Sequence, residues 1–138
     1  MSVCTIDPLW PVGELVALCA RLTGKEVREL RASQAGDQLF VEVDAATLKR
    51  ALAEFDPVTA ARRLALGRVR AERNRRLAAT DWQALRAIEQ GRLPEFLMGP
   101  EAARRQALRD LPARLAAEGA LERLADCGAL NRFEPTWP

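Results

Sequence analysis

The feature that most constrains this chain is a change of character at Pro57. From there to Thr80 the sequence reads PVTAARRLALGRVRAERNRRLAAT, rich in Ala, Arg and Leu, and its periodicity predicts one long helix over 57–79. The helix splits the chain into a small module at 1–56 and a helical region at 57–138, ending in an extended segment. A chain of 138 residues, 49% of them hydrophobic and with a net charge of +2, can bury a core without a disulfide or metal staple.

Punctuation and periodicity supply the other elements. Asp7-Pro8 and Trp10-Pro11 predict an extended start over the first ten residues. A helix over 11–22 follows, with Leu15, Leu18, Cys19 and Leu22 at helical spacing and Thr23-Gly24 as its stop. Lys25 to Ala32 and Asp37 to Asp44 read as the arms of a β-hairpin, with Leu39, Val41 and Val43 on one face and Gln34 to Asp37 in the turn. Asp44 is placed to cap a helix carrying Leu48, Ala51, Leu52 and Phe55, which ends at Asp56-Pro57.

Beyond the long helix, Thr80 or Asp81 is a candidate cap for DWQALRAIEQG, with Trp82, Leu85 and Ile88 on one face and Gly91 closing it. Pro94, Gly99 and Pro100 predict a loop. A last helical stretch over 101–126 is expected to kink or restart at Leu111-Pro112. The expected fold is therefore α+β and mostly helical: a helix–hairpin–helix module, a long Arg-rich helix and a C-terminal helical region.

Composition excludes several chemistries. With no His, a Ser-His-Asp hydrolase, a Cys-His protease and a His-ligated metal site are ruled out. Cys4, Cys19 and Cys127 are odd in number and lack CxxC spacing, so they read as reduced thiols, not a disulfide framework or zinc site. LTGK at 22–25 lacks the spacing of a phosphate-binding loop. Glu26/Glu29 and Glu42/Asp44 read more simply as hairpin or cap residues than as acid/base couples. No catalytic residue, cofactor or metal is expected. No basic region precedes the first apolar stretch and no apolar run approaches a membrane span, so neither a secretion signal nor an anchor is expected, and the reading is cytoplasmic.

Charge is unevenly distributed. Residues 1–56 hold nine acids against six bases, net −3, whereas 57–80 hold seven arginines against Glu72, net +6. Five of those arginines fall within an arc of roughly 140°, at about 100° per residue, but Leu66, Val69 and Leu77 share that arc. Three readings stay open: contact with nucleic-acid phosphates, an acidic partner protein, or pairing with the chain's own carboxylates. Trp82 reads as core from its spacing with Leu85. Trp10 and Trp137, each beside proline in an extended end, are either anchors for a partner groove or packed back on the chain.

The second half resembles a known family. ERNRRLAATDW at 72–82, a polar loop, RRQALRDLPA at 104–113 and the terminal PTWP at 135–138 occur in the order seen in the small tail assembly chaperones of tailed bacteriophages and related prophages. The matching positions are Arg73, Arg76, Asp81, Trp82, Arg105, Gln106, Leu108, Arg109, Asp110, Pro112, Trp137 and Pro138. The chain departs from the pattern at Arg104, where an aromatic is expected, in an added Ala-rich helix at 114–127, and over residues 1–56, which match nothing in it. The resemblance implies a non-enzymatic factor in tail or tail-fibre assembly in the host cytoplasm, binding a tail or fibre protein through Arg73, Arg76, Trp82, Arg105, Arg109 and Trp137, to which Trp10 adds a candidate anchor from its proline-flanked setting alone. A structural tail or baseplate component kept in the virion is the alternative, and a nucleic-acid-binding regulator a further one. A homo-oligomer is compatible with each.

Overall fold

The computed structural model describes all residues, 1–138. The chain is mostly helical with one three-stranded antiparallel sheet, the α+β class expected. It divides into two compact units: Met1–Arg63 with Ala125–Asn131, and Leu64–Leu124 with Arg132–Pro138.

In the first unit, β1 (Ser2–Thr5), α1 (Val12–Thr23), β2 (Ala32–Ala35), β3 (Gln38–Val41) and α2 (Ala45–Glu54) surround one apolar core. β3 is the central strand: Leu39 lies opposite both Cys4 and Gln34, and Val41 opposite Ser2 and Ala32. Alternation along QLFV buries Leu39 and Val41, where they meet Leu15, Cys19 and Ala20 of α1 and Leu48 and Ala51 of α2. Gly36 has φ 60° at the first central position of the two-residue β2–β3 turn, the conformation in which a type II′ turn requires glycine.

Three expectations for this unit are corrected. The extended start is a paired strand only over Ser2–Thr5, after which residues 8–10 turn back with Trp10 N–H donating to Asp7 O (3.0 Å). The hairpin is real, but its first arm is shorter: Val27–Glu29 form a 3₁₀ turn, held by Glu29 Oε2 accepting from Glu26 N–H, and the strand begins at Ala32. Asp44 caps α2 as expected, Oδ1 accepting from Thr47 N–H at 2.6 Å, but α2 ends at Glu54 with Phe55 closing it, so Asp56 does not stop that helix and instead begins the next. Its carboxylate accepts from the N–H groups of Val58 and Thr59 and from the Thr59 hydroxyl, so α3 (Pro57–Ala78) starts with almost no break.

α3 is the long helix that the composition predicts, and it buries Ala61, Ala65 and Val69 at four-residue spacing. In the second unit it is followed by α4 (Asp81–Glu89), α5 (Leu93–Leu97) and α6 (Pro100–Glu118). The loop predicted from Pro94, Gly99 and Pro100 thus contains α5, because Pro94 sits in the first turn of a helix, where its missing N–H is no loss. α6 runs through Pro112 without interruption and ends at Glu118, not 126. Gly119, φ 64°, closes it, with Ala120 N–H donating to Leu115 O, so residues 119–126 are not helix. Val69, Leu111 and Leu115 form the buried centre, against which Phe133 and Trp137 pack. α7 (Cys127–Asn131) belongs to the first unit, where Asn131 Nδ2 donates to Leu9 O (3.1 Å).

Candidate partner-binding face

α4 and α5 expose an unusual run of large apolar side chains. Trp82 is 55% exposed, Leu85 60%, Ile88 56%, Leu97 62% and Met98 89%, with Leu93 also exposed. The spacing that suggested a core position for Trp82 is present, but nothing in the chain covers that face. Scattered exposed leucines are ordinary; six large apolar residues on and just after two consecutive short helices are a concentration that makes α4 and α5 the candidate interaction surface.

Two grooves flank α5, which packs against both α4 and α6. One, about 420 Å³, has Trp82, Ala87 and Phe96 as apolar walls and Arg86 and Arg92 at its edge. Gln83 Oε1 and Glu101 Oε2 line it too, buried and accepting no hydrogen bond. The other, about 550 Å³, is lined by Ala84, Phe96, Leu97, Met98 and Ala102, and by Arg105, Gln106 and Arg109 of α6.

The corner before α4 is set by Arg105. This side chain is 8% exposed, and its guanidinium donates from Nη1 to Leu77 O (2.9 Å) and Thr80 Oγ1 (2.5 Å), and from Nη2 to Asp81 Oδ1 (2.6 Å). Neither Thr80 nor Asp81 acts as the expected side-chain cap: the Thr80 hydroxyl donates back to Leu77 O, and Asp81 is the first residue of α4 and the acceptor for Arg105. A planar fork reaching three acceptors on one turn holds α4, and hence the patch, to α6.

The other candidate residues fall in different places. Trp10 is in the first unit, packed on its core and edge-on to Phe55 with ring centroids 5.6 Å apart. Trp137 is in the second unit, its ring under Arg76 (4.3 Å from Cζ to the centroid) and its Nε1–H donating to Glu134 Oε1 at 2.7 Å. Both terminal tryptophans therefore pack back on the chain. Arg73 donates to the neighbouring Asn74 Oδ1 at 2.8 and 3.0 Å. Arg109 lies exposed on α6 with only Gln106 Oε1 at 3.5 Å. Among the proposed anchors, Arg105 and Arg109 line one groove beside α5 and Trp82 lines the other, and Arg76 and Trp137 form a separate, internal contact. Leu85, Ile88, Leu97 and Met98 complete the face and were not named as site residues from sequence; the signal for the first two was the Trp82 stripe itself.

The arginine helix is partly neutralised from within. Glu72 accepts from Arg75 Nε and Nη2 (2.7 and 2.6 Å) and from Arg76 Nε (2.8 Å), and these hydrogen bonds hold its carboxyl down at about 2, against an ordinary 4.5. Because the folded-state value is depressed, the stabilisation is fully present above about 4.5 and is lost as pH falls toward 2. In urea unfolding of wild type and Glu72→Gln, the gap in midpoint seen at pH 6 is expected to shrink steadily below pH 4.5. A gap unchanged down to pH 2 would show that these pairs do not hold in solution.

No three His, Cys, Asp or Glu side chains converge as metal ligands. Burial raises the thiol pKa of Cys4, Cys19 and Cys127, which keeps them protonated at neutral pH and poor as nucleophiles. No helix is long and apolar enough to cross a membrane. No family model matches the chain, and no curated protein or solved structure is detectably similar to it.

Proposed function

We propose that this chain is a non-enzymatic, protein-binding assembly factor of the phage tail or tail-fibre type, which covers apolar surface on an unassembled tail protein through its α4–α5 face. The observation that carries this reading is the exposure of Trp82, Leu85, Ile88, Leu97 and Met98 on helices held in place by the buried Arg105 fork. The likeness of roughly residues 60–138 to tail assembly chaperones supplies the class of partner. A fibre subunit awaiting oligomerisation exposes apolar surface that drives aggregation, and a factor with its own apolar face shields that surface until subunit contacts displace it. The nucleic-acid reading is weaker because Glu72 already engages Arg75 and Arg76, and Arg76 also stacks on Trp137.

The test is co-expression with the tail or fibre polypeptide encoded beside this chain. Wild type is expected to raise the soluble fraction of that polypeptide, and Leu85→Asp/Leu97→Asp to lose most of the effect while keeping its own helical circular dichroism, since both side chains are exposed. Equal solubility with and without this chain would refute the proposal. Quantitative mass spectrometry of purified particles separates a released factor, sub-stoichiometric or absent, from a structural component.

A further inference from the structure

The apolar face pairs two complementary shapes: a ridge on α4 and a groove between α5 and α6. The ridge is Trp82, Leu85 and Ile88, with Glu89 beside it, exposed and without a hydrogen bond or ion pair. The groove is the 550 Å³ one, apolar along Phe96, Leu97 and Met98, and its lining includes two charged residues, both arginines. Arg105 is already matched by Asp81 at 2.6 Å, which leaves Arg109 as the groove's uncompensated cation. The groove is walled by helices and offers no strand edge, so an occupant must satisfy its own backbone hydrogen bonds. A helix meets that condition and an extended peptide does not.

We infer that the α4–α5 face is covered by a second copy of this chain in the absence of its partner, the Trp82/Leu85/Ile88 ridge of each copy entering the α5–α6 groove of the other, with Glu89 of one set against Arg109 of the other. Ala84 of α4 lines the same groove, so ridge and groove adjoin on one unit, as a two-fold exchange requires. The chemistry matches on both sides: apolar ridge to apolar groove, and a bare carboxylate to a bare guanidinium at the rim. The inference goes beyond the partner-binding reading and does not depend on it.

Sedimentation velocity on the full chain over a concentration series tests it. Wild type is expected to show a monomer–dimer equilibrium. Arg109→Glu or Glu89→Arg alone is expected to weaken it about tenfold, and the double exchange Glu89→Arg/Arg109→Glu to restore it. Leu97→Asp, monitored by circular dichroism for retained helix, is expected to leave monomer only. A wild type that stays monomeric, or a dimer indifferent to all four variants, overturns the inference. Neither result alters the expected outcome of the fibre co-expression assay, which reads a different partner.

Discussion

Leu111→Ala is expected to destabilise the second unit by about 3 kcal/mol. Leu111 is fully buried at the centre of the cluster with Val69 and Leu115, where Phe133 and Trp137 close over it. Truncation removes the transfer free energy of the lost carbons and leaves a cavity that Val69 and Leu115 on their rigid helices and two rings cannot collapse to fill. Chemical denaturation followed by Trp fluorescence reads the effect, since Trp137 lies against this cluster. A loss below about 1 kcal/mol would mean that the site relaxes around the hole and that the cluster is not the centre of the unit.

Arg105→Ala is expected to cost about 2 kcal/mol, because a buried guanidinium making three hydrogen bonds is replaced by a methyl group: Thr80 Oγ1 and Asp81 Oδ1 lose their donor, while Leu77 O keeps the Thr80 N–H and hydroxyl. The value is held down by Asp81, whose side chain is more than half exposed and returns to water once unpaired. Lysine does not rescue the variant, since one ammonium lacks the planar fork that spans Leu77, Thr80 and Asp81. The second consequence is functional: with the α3–α4 corner released, the α4 ridge loses its fixed position, and partner binding is expected to fall further than stability alone accounts for. A cycle with Asp81→Ala checks the geometry, and a coupling near zero would show that the pair does not form in solution.

What could be read in the sequence follows from how local the determining physics is. The long helix, the Asp44 cap and the Leu39/Val41 alternation depend on neighbours in sequence, and each is in the structure as read. β1 escaped because SVCT carries little apolar signal of its own; it is a strand because β3 lies beside it, thirty-odd residues away. α5 escaped because Pro94, Gly99 and Pro100 punctuate a loop and a short helix alike. Pro112 misled in the other direction: in a helix fixed by Leu108, Leu111 and Leu115 on one buried side, the loss of one backbone hydrogen bond is tolerated.

The site shows the same division. The Trp82, Leu85, Ile88 stripe is visible as periodicity, but periodicity shows only that a face is apolar, not that another element covers it. Here none does, and that absence turns a predicted core residue into a candidate anchor. Arg105 is the converse. Its place in RRQALRD gives no local sign of burial, and its role becomes visible only once Leu77, Thr80 and Asp81 are brought to it from the end of α3 and the start of α4.

The central claim, that α4–α5 is the face that meets the partner, is tested most directly by site-specific photocrosslinking in cells that co-express the tail or fibre polypeptide. A photoreactive residue is placed at Leu85 or Leu97, and at the exposed Val27 of the first unit for comparison. A covalent adduct with that polypeptide is expected from positions 85 and 97 and none from 27. Adducts from 27 alone, or from no position while the two proteins still co-purify, would contradict it.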